Sequence, residues 1–191
     1  MPYSLDTYNS LFKEHISKLE ISSFLDVGAG SGKYGKLIKE SFPSASVLAL
    51  EPTQKYIEEF NLEKIYDTVY CQKIQEFTQS TSRNRYGAVI FGDVLEHLFR
   101  NEAIDYIDYY LYRSDWVFVI WPTFMPQDDA MDNTLEIHKS NFTISELSSK
   151  FDVHYFTKTI AWFNFNDTRF PHAEYNYCLI RGHVTNRTKS L

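Results

Sequence analysis

Four of the chain's seven glycines fall between Leu25 and Gly35, in the stretch LDVGAGSGKYG. The stretch follows an apolar strand pattern, SFLDVG. It runs into a helical pattern, KYGKLIKESF, which Pro43 stops. Glycine between a strand and a helix allows a tight turn and lets another group come close to the backbone. The feature points to an α/β chain whose first strand-to-helix turn faces something that side chains would obstruct.

The rest of the chain keeps the same alternation. Leu5, Tyr8, Leu11, Phe12, Ile16 and Leu19 recur every three or four residues, which predicts an N-terminal helix. ASVLALE reads as strand, TQKYIEEF as helix, IYDTVYC as strand and YGAVIFGD as strand. EHLFRNEAIDYIDYYLY reads as one helix with Phe99, Ala103, Tyr106, Ile107 and Tyr110 on a shared face. DWVFVIWP is the next strand. FTISELSSKF opens on a Thr143–Glu146 capping box, with Phe142 and Leu147 placed as a hydrophobic staple. DVHYFTKT and EYNYCLIRG close the chain as two strands with no long helix pattern between them, so they should be antiparallel. This order predicts a Rossmann-like three-layer αβα sandwich. Its seven-stranded sheet is mostly parallel, with the last strand antiparallel. Residues 1–183 are expected to form one domain, with residues 1–20 as a helix that lids the site and residues 184–191 as a disordered tail. Ligands of such sheets bind beyond the carboxyl ends of the strands, so the residues just after each strand are the ones to read.

Composition narrows the partners. A chain of 191 residues suits one α/β domain and is short for two. The formal net charge of -6 speaks against tight non-specific binding to a phosphate backbone. The polar start, MPYSLDTYNS, does not resemble a secretory signal, and WVFVIW is too short to span a bilayer. Cys71 and Cys178 are too far apart for a metal knuckle and too few for a disulfide framework, so a reducing cytoplasm is the expected setting. The Asn-x-Thr triplets at Asn141, Asn166 and Asn186 carry no weight without a secretory route.

Three phosphate- or nucleotide-binding patterns compete for the glycine stretch. A P-loop fails: counting back from Gly32-Lys33 reaches Val27, and Tyr34 stands where a hydroxyl residue belongs. Gly30, Gly32 and Gly35 match a dinucleotide fingerprint, but it starts late, since Gly28 already follows the strand. The whole stretch, Asp26-x-Gly28-x-Gly30-x-Gly32, resembles the first motif of the class I S-adenosylmethionine-dependent methyltransferases. That resemblance implies a loop around the amino-acid and ribose part of the cofactor, formed by Gly28, Ala29, Gly30, Gly32 and Tyr34. The strand-end acid, Asp26, suits an ammonium group. Glu51, which closes the second strand ahead of Pro52, would accept the ribose hydroxyls. After the third strand the family often has an Asp-Ala-like pair; here Lys73 and Ile74 stand there, which leaves adenine contact to the backbone and Ile74. FGDVLEHL resembles the family's fourth motif and places Asp93, Val94 and Leu95 against the cofactor. The matches run from about Phe24 to Pro122. They imply S-adenosylmethionine as cofactor and S-adenosylhomocysteine as product.

Residues that meet the acceptor should lie after the fourth and fifth strands. PTFMPQDDAMDNTLEIHKSNF is long and polar for a connector. Small methyltransferases of this class often carry a Glu-x-His-x-Ser stretch like its LEIHKS. His138 titrates nearest neutral pH and is the first choice for a general base, with Asp128 and Asp129 as alternatives. Asp93, Glu96 and His97 stand at i, i+3 and i+4. With His138 they resemble the Glu-x-x-Glu-His metal site of the small-RNA 2′-O-methyltransferases, with Asp93 in place of the first Glu. Leu-Glu-His is also common in metal-free members, where it packs and caps the helix, so no metal ligand is assigned on sequence alone. Tyr8 is expected at the lid. AWFNFNDTRFPHAEYNY, dense in aromatics, is a candidate pocket wall or dimer contact. The acidic, unadorned domain points to a small-molecule or saccharide acceptor, methylated at a hydroxyl, more than to nucleic acid. The rivals are a metal-assisted RNA 2′-O-methyltransferase, a partner subunit that binds cofactor without catalysis, and an NAD-dependent reductase, for which no hydride site is visible.

Overall fold

A computed structural model describes residues 4–80, 84–129, 132–162 and 172–183. The expected tail, Asn166, Asn186 and the middle of the aromatic stretch lie outside these residues. Seven strands form one sheet: β1 (Ser23–Val27), β2 (Ser46–Leu50), β3 (Thr68–Tyr70), β4 (Tyr86–Gly92), β5 (Ser114–Thr123), β6 (Val153–Trp162) and β7 (His172–Arg181). Their order is β3-β2-β1-β4-β5-β7-β6. All pairs are parallel except those of β7, which runs antiparallel to both β5 and β6. The sheet is the one that the alternation predicts. The strand order reverses between β1 and β4, so a crevice opens there beyond their carboxyl ends.

The helices are α1 (Asn9–Lys18), α2 (Lys33–Ser41), α3 (Gln54–Glu59), α4 (Ile74–Ser80), α5 (Arg100–Leu111) and α6 (Ile144–Lys150). The central strands bury both faces, which is why they read as largely apolar runs. Phe24, Ala88 and Phe118 face the layer of α1, α2 and α3. Their neighbours Leu25, Val89 and Val119 face the layer of α5 and α6. The capping box at α6 forms as expected: Thr143 N–H donates to Glu146 Oε2 at 2.9 Å, with Phe142 and Leu147 buried beside it. No helix among the described residues is long and apolar enough to cross a membrane.

Two local readings change. The third strand spans three residues, and α4 follows it where no helix was expected. The long helix expected from Glu96 is broken as well. Leu95–His97 makes a single 3-10 turn, Leu98 is extended at ψ 157°, and α5 starts at Arg100. The cause is competition for hydrogen bonds. Glu96 O accepts from Lys139 N at 2.7 Å and from Ser140 N at 3.1 Å, so a loop takes the carbonyl that a helix would use. Glu102 then caps the new start by accepting Phe99 N–H at 3.1 Å. Phe99, expected on the buried face, is 59% exposed.

Candidate functional site

A cavity of about 260 Å³ fills the crevice. Its floor is the turn after β1. Gly28 and Gly30 hold φ of 69° and 51° there, a region costly for residues with a Cβ. A Cβ on Gly28 would also come within 2.5 Å of the Val94 side chain, which forms the wall after β4. Gly28, Ala29 and Gly30 line the cavity together with Tyr34 from α2.

Glu51 closes β2 and is buried, with 4% of its surface exposed. Its two oxygens are clamped separately. Oε2 accepts Gly30 N–H and Oε1 accepts Thr53 N–H, each at 2.9 Å. Burial pushes its carboxyl up, and these two backbone donors oppose that. One lone pair on each oxygen stays free for a ligand. Pro52 and Ile74 line the same side. Gln72, just after β3, lines it too, and its buried Oε1 has no hydrogen-bond partner among the described residues. The motif reading passed over Gln72, although its place one step past a strand end was visible in the sequence.

Across the cavity stand Asp93 and Val94. Asp93 adopts φ 55°, and its Oδ2 accepts the hydroxyl of Tyr175 at 2.7 Å. Burial raises its carboxyl above the usual range, against the Tyr175 hydrogen bond and the nearby Lys33 charge. Tyr175 lies in β7, far from any motif, and carries no sequence signal of this role. The next turn brings Glu96 and His97 beside His138. The two imidazoles meet edge to face with centroids 4.8 Å apart. Burial disfavours the charged form of both rings: it lowers His97 to about 3, helped by His138, and lowers His138 in the same direction. His97 lines the cavity, whereas His138 reaches it only through His97. The opposite rim includes Leu135, Glu136 and Lys139. Asn133 ties that rim to α3, its amide lying 3.3 Å from Thr53 Oγ1 and 3.4 Å from the Tyr56 hydroxyl.

No protein-family model matches this chain, and no curated protein does either. Solved structures do. The N-terminal domain of EvdMO1, with SAH bound, superposes with a TM-score of 0.65 at 10% identity, over 94% of this chain and 83% of that one. The plantazolicin methyltransferase BpumL, in complex with SAH, gives 0.57 at 16% identity, over 93% and 83%. A SAM-dependent methyltransferase from Archaeoglobus fulgidus gives 0.55 at 14% identity, over 91% and 94%. The fold is that of the class I methyltransferases.

Within that methyltransferase fold, most of the expected cofactor residues converge. Gly28, Ala29, Gly30, Tyr34, Glu51, Pro52, Ile74, Asp93 and Val94 line one cavity. Three do not reach its wall. Leu95 is buried in the layer under α5. Gly32 caps α2 at φ 77°, where a Cβ would press on Ile65 at 2.7 Å. Asp26 is 1% exposed and receives the Tyr66 hydroxyl at 2.5 Å. Asp128 and Asp129 are exposed in the loop after β5. Tyr8 is core: its hydroxyl donates to Tyr175 O at 2.6 Å, and Ser4, ahead of it, lines the cavity instead.

Asp26 makes stability depend on pH. Burial pushes its carboxyl up to about 7, partly offset by the Tyr66 hydrogen bond. The folded state therefore holds this proton more tightly than the unfolded chain, whose carboxyl titrates near 3.9. Stability from this group is full below that pH and is lost as pH rises through about 7. Asp26→Asn, neutral throughout, removes the slope. Thermal unfolding should show the wild type gaining several degrees on the variant between pH 8 and pH 6. A constant difference over that range would contradict the assignment.

Proposed function

We propose that the chain transfers a methyl group from S-adenosylmethionine to a hydroxyl of a small-molecule or saccharide acceptor, leaving S-adenosylhomocysteine. The observation that supports this most is the carboxylate of Glu51. It is fixed by two backbone donors at the end of β2, above the glycine turn, with a lone pair left on each oxygen. Vicinal ribose hydroxyls fit such an acceptor pair. The crevice position and the SAH-bound neighbours support the same cofactor.

When bound, the cofactor supplies a methyl group on a positively charged sulfur, which is an activated leaving group. The protein's share is placement. The backbone of Gly28–Gly30 and the Glu51 carboxylate fix the cofactor's orientation, and Ile74 and Val94 keep water from its flank. An acceptor oxygen placed in line with that methyl would take it, and the carbon–sulfur electron pair would stay with the neutral thioether product, so the residues lining the crevice would need only to hold the two partners in line. The proton of the acceptor hydroxyl leaves at the His97–His138 corner, and His138 is needed for its removal.

Calorimetric titration tests the cofactor half of the reading. S-adenosylhomocysteine should bind at one site per chain and NADH should not. The reverse result would turn the glycine turn into a dinucleotide site. His138→Ala should keep S-adenosylhomocysteine affinity and lose turnover by about 100-fold or more once an acceptor is in hand.

A further inference from the structure

Phe99 lines the mouth of the cavity and leaves most of its ring in water. Among the described residues, only Phe124 exposes more of a large apolar side chain. The position is fixed from the backbone. Glu102 Oε2 takes the Phe99 N–H, and α5 starts at the next residue. Leu98 and, from the other rim, Leu135 line the same cavity. None of these three side chains can hydrogen-bond to a ligand.

One cation stands over this apolar lip. Lys139 Nζ lies 5.7 Å from the Phe99 ring centroid, and its charge is close enough to His97 to oppose a second charge on that imidazole. Lys139 makes no ion pair among the described residues. Two acids share the cavity wall with it, and both are engaged elsewhere. Glu102 Oε2 holds Phe99 N–H, and its Oε1 lies 3.5 Å from Gln75 Nε2. Glu136 is buried beside Tyr56. A chain with a formal net charge of -6 thus keeps an unneutralised ammonium group at the cavity mouth, over an open aromatic ring.

We propose that Phe99 and Lys139 form the acceptor end of the cavity, and that the acceptor is a phenol held there as its phenolate. An apolar lip with a single cation suits a neutral saccharide poorly, because sugar hydroxyls need several polar partners. It suits a flat aromatic molecule, whose ring packs against Phe99 while its oxygen faces Lys139. A phenol loses its proton near about pH 10, as tyrosine does, and a neighbouring ammonium favours the anion further. Such a hydroxyl also asks little of the His97–His138 corner, where burial disfavours an imidazolium. The phenol's role as acceptor rests on the methyl-transfer reading; its binding at the lip does not.

The test uses the full chain, with and without saturating S-adenosylhomocysteine, and 4-nitrophenol as probe, because its anion absorbs visible light and its neutral form does not. Bound probe should titrate about one pH unit below free probe, which is a tenfold preference for the anion. Lys139→Met should remove that shift and leave binding of the neutral form unchanged. Phe99→Ala should weaken both forms by about 5-fold and keep the shift. Methyl β-D-glucoside should not displace the probe. A probe whose titration the wild type leaves unmoved, a shift that persists in Lys139→Met, or displacement by the glucoside would overturn the proposal. S-adenosylhomocysteine titration of the same samples checks their fold and separates the two ideas. S-adenosylhomocysteine binding without 4-nitrophenol binding sinks the phenol assignment and leaves methyl transfer standing; the opposite pattern does the converse.

Discussion

Glu51→Ala should weaken S-adenosylhomocysteine binding by about 100-fold, which is roughly 2.7 kcal/mol. The expectation follows from how the carboxylate is held. Its oxygens already take Gly30 N–H and Thr53 N–H, so their direction is set before any ligand arrives. Little ordering cost is left for the ligand to meet, and charge-assisted hydrogen bonds to two hydroxyls are worth about 1.5–3 kcal/mol each. Alanine removes both and also frees the Gly30 turn. Glu51→Gln keeps one acceptor and should lose less, on the order of 10-fold. Calorimetry on the three proteins decides the matter. Equal affinities for wild type and Glu51→Ala would mean that the cofactor lies elsewhere in the cavity or does not bind at all.

Gly92→Ala should be among the most destabilising single-methyl additions in the chain. Gly92 ends β4, and a Cβ there would stand 2.0 Å from Cε2 of Tyr34. The ring has no easy retreat. It is 6% exposed and packs edge-on against Phe12 with centroids 5.2 Å apart. Overpacking of this kind costs about 3 kcal/mol. For a domain of this size that corresponds to roughly 6–12 °C in melting temperature. Tyr34→Leu on top of Gly92→Ala should recover part of the loss, because the two sites share one volume. A Gly92→Ala protein that melts with the wild type would show that the ring yields, and the packing account would fail.

These two residues mark what the sequence made legible. The central strands were readable because β1, β4 and β5 are buried on both faces and so run largely apolar, with Asp26 the charged residue inside β1. The glycine stretch was readable as a turn but not in its division of labour. Gly28 and Gly30 face the cavity, whereas Gly32 makes room for Ile65 and Gly35 for Tyr66, whose ring a Cβ would meet at 2.4 Å. Those neighbours lie some 30 residues downstream, and no local pattern announces them. The break between Glu96 and Arg100 was hidden for the same reason. Helical spacing continues through it, and only the arrival of Lys139 and Ser140 at the Glu96 carbonyl stops the helix. Asp26 stands near the end of β1 as read, but it lies off the cavity on Tyr66, a residue that the pattern IYDTVYC puts in a strand and the structure puts in the turn before β3. Three-dimensional neighbours from distant segments, rather than local propensity, account for each of these gaps.

The loop after β5 is pinched at its neck. Gln127 meets His138 and Glu136 through two hydrogen bonds, His138 N to Gln127 O and Gln127 Nε2 to Glu136 O. Asp128 and Asp129 stand exposed just beyond that neck, while Asn133 and Leu135, inside the same closed loop, line the cavity. Lengthening a loop beyond a closed neck adds little entropic cost, since each doubling adds only about 0.6 kcal/mol. Residues added at Asp128 and Asp129 should therefore disturb the cavity less than residues added at Asn133 or Leu135, which form its rim.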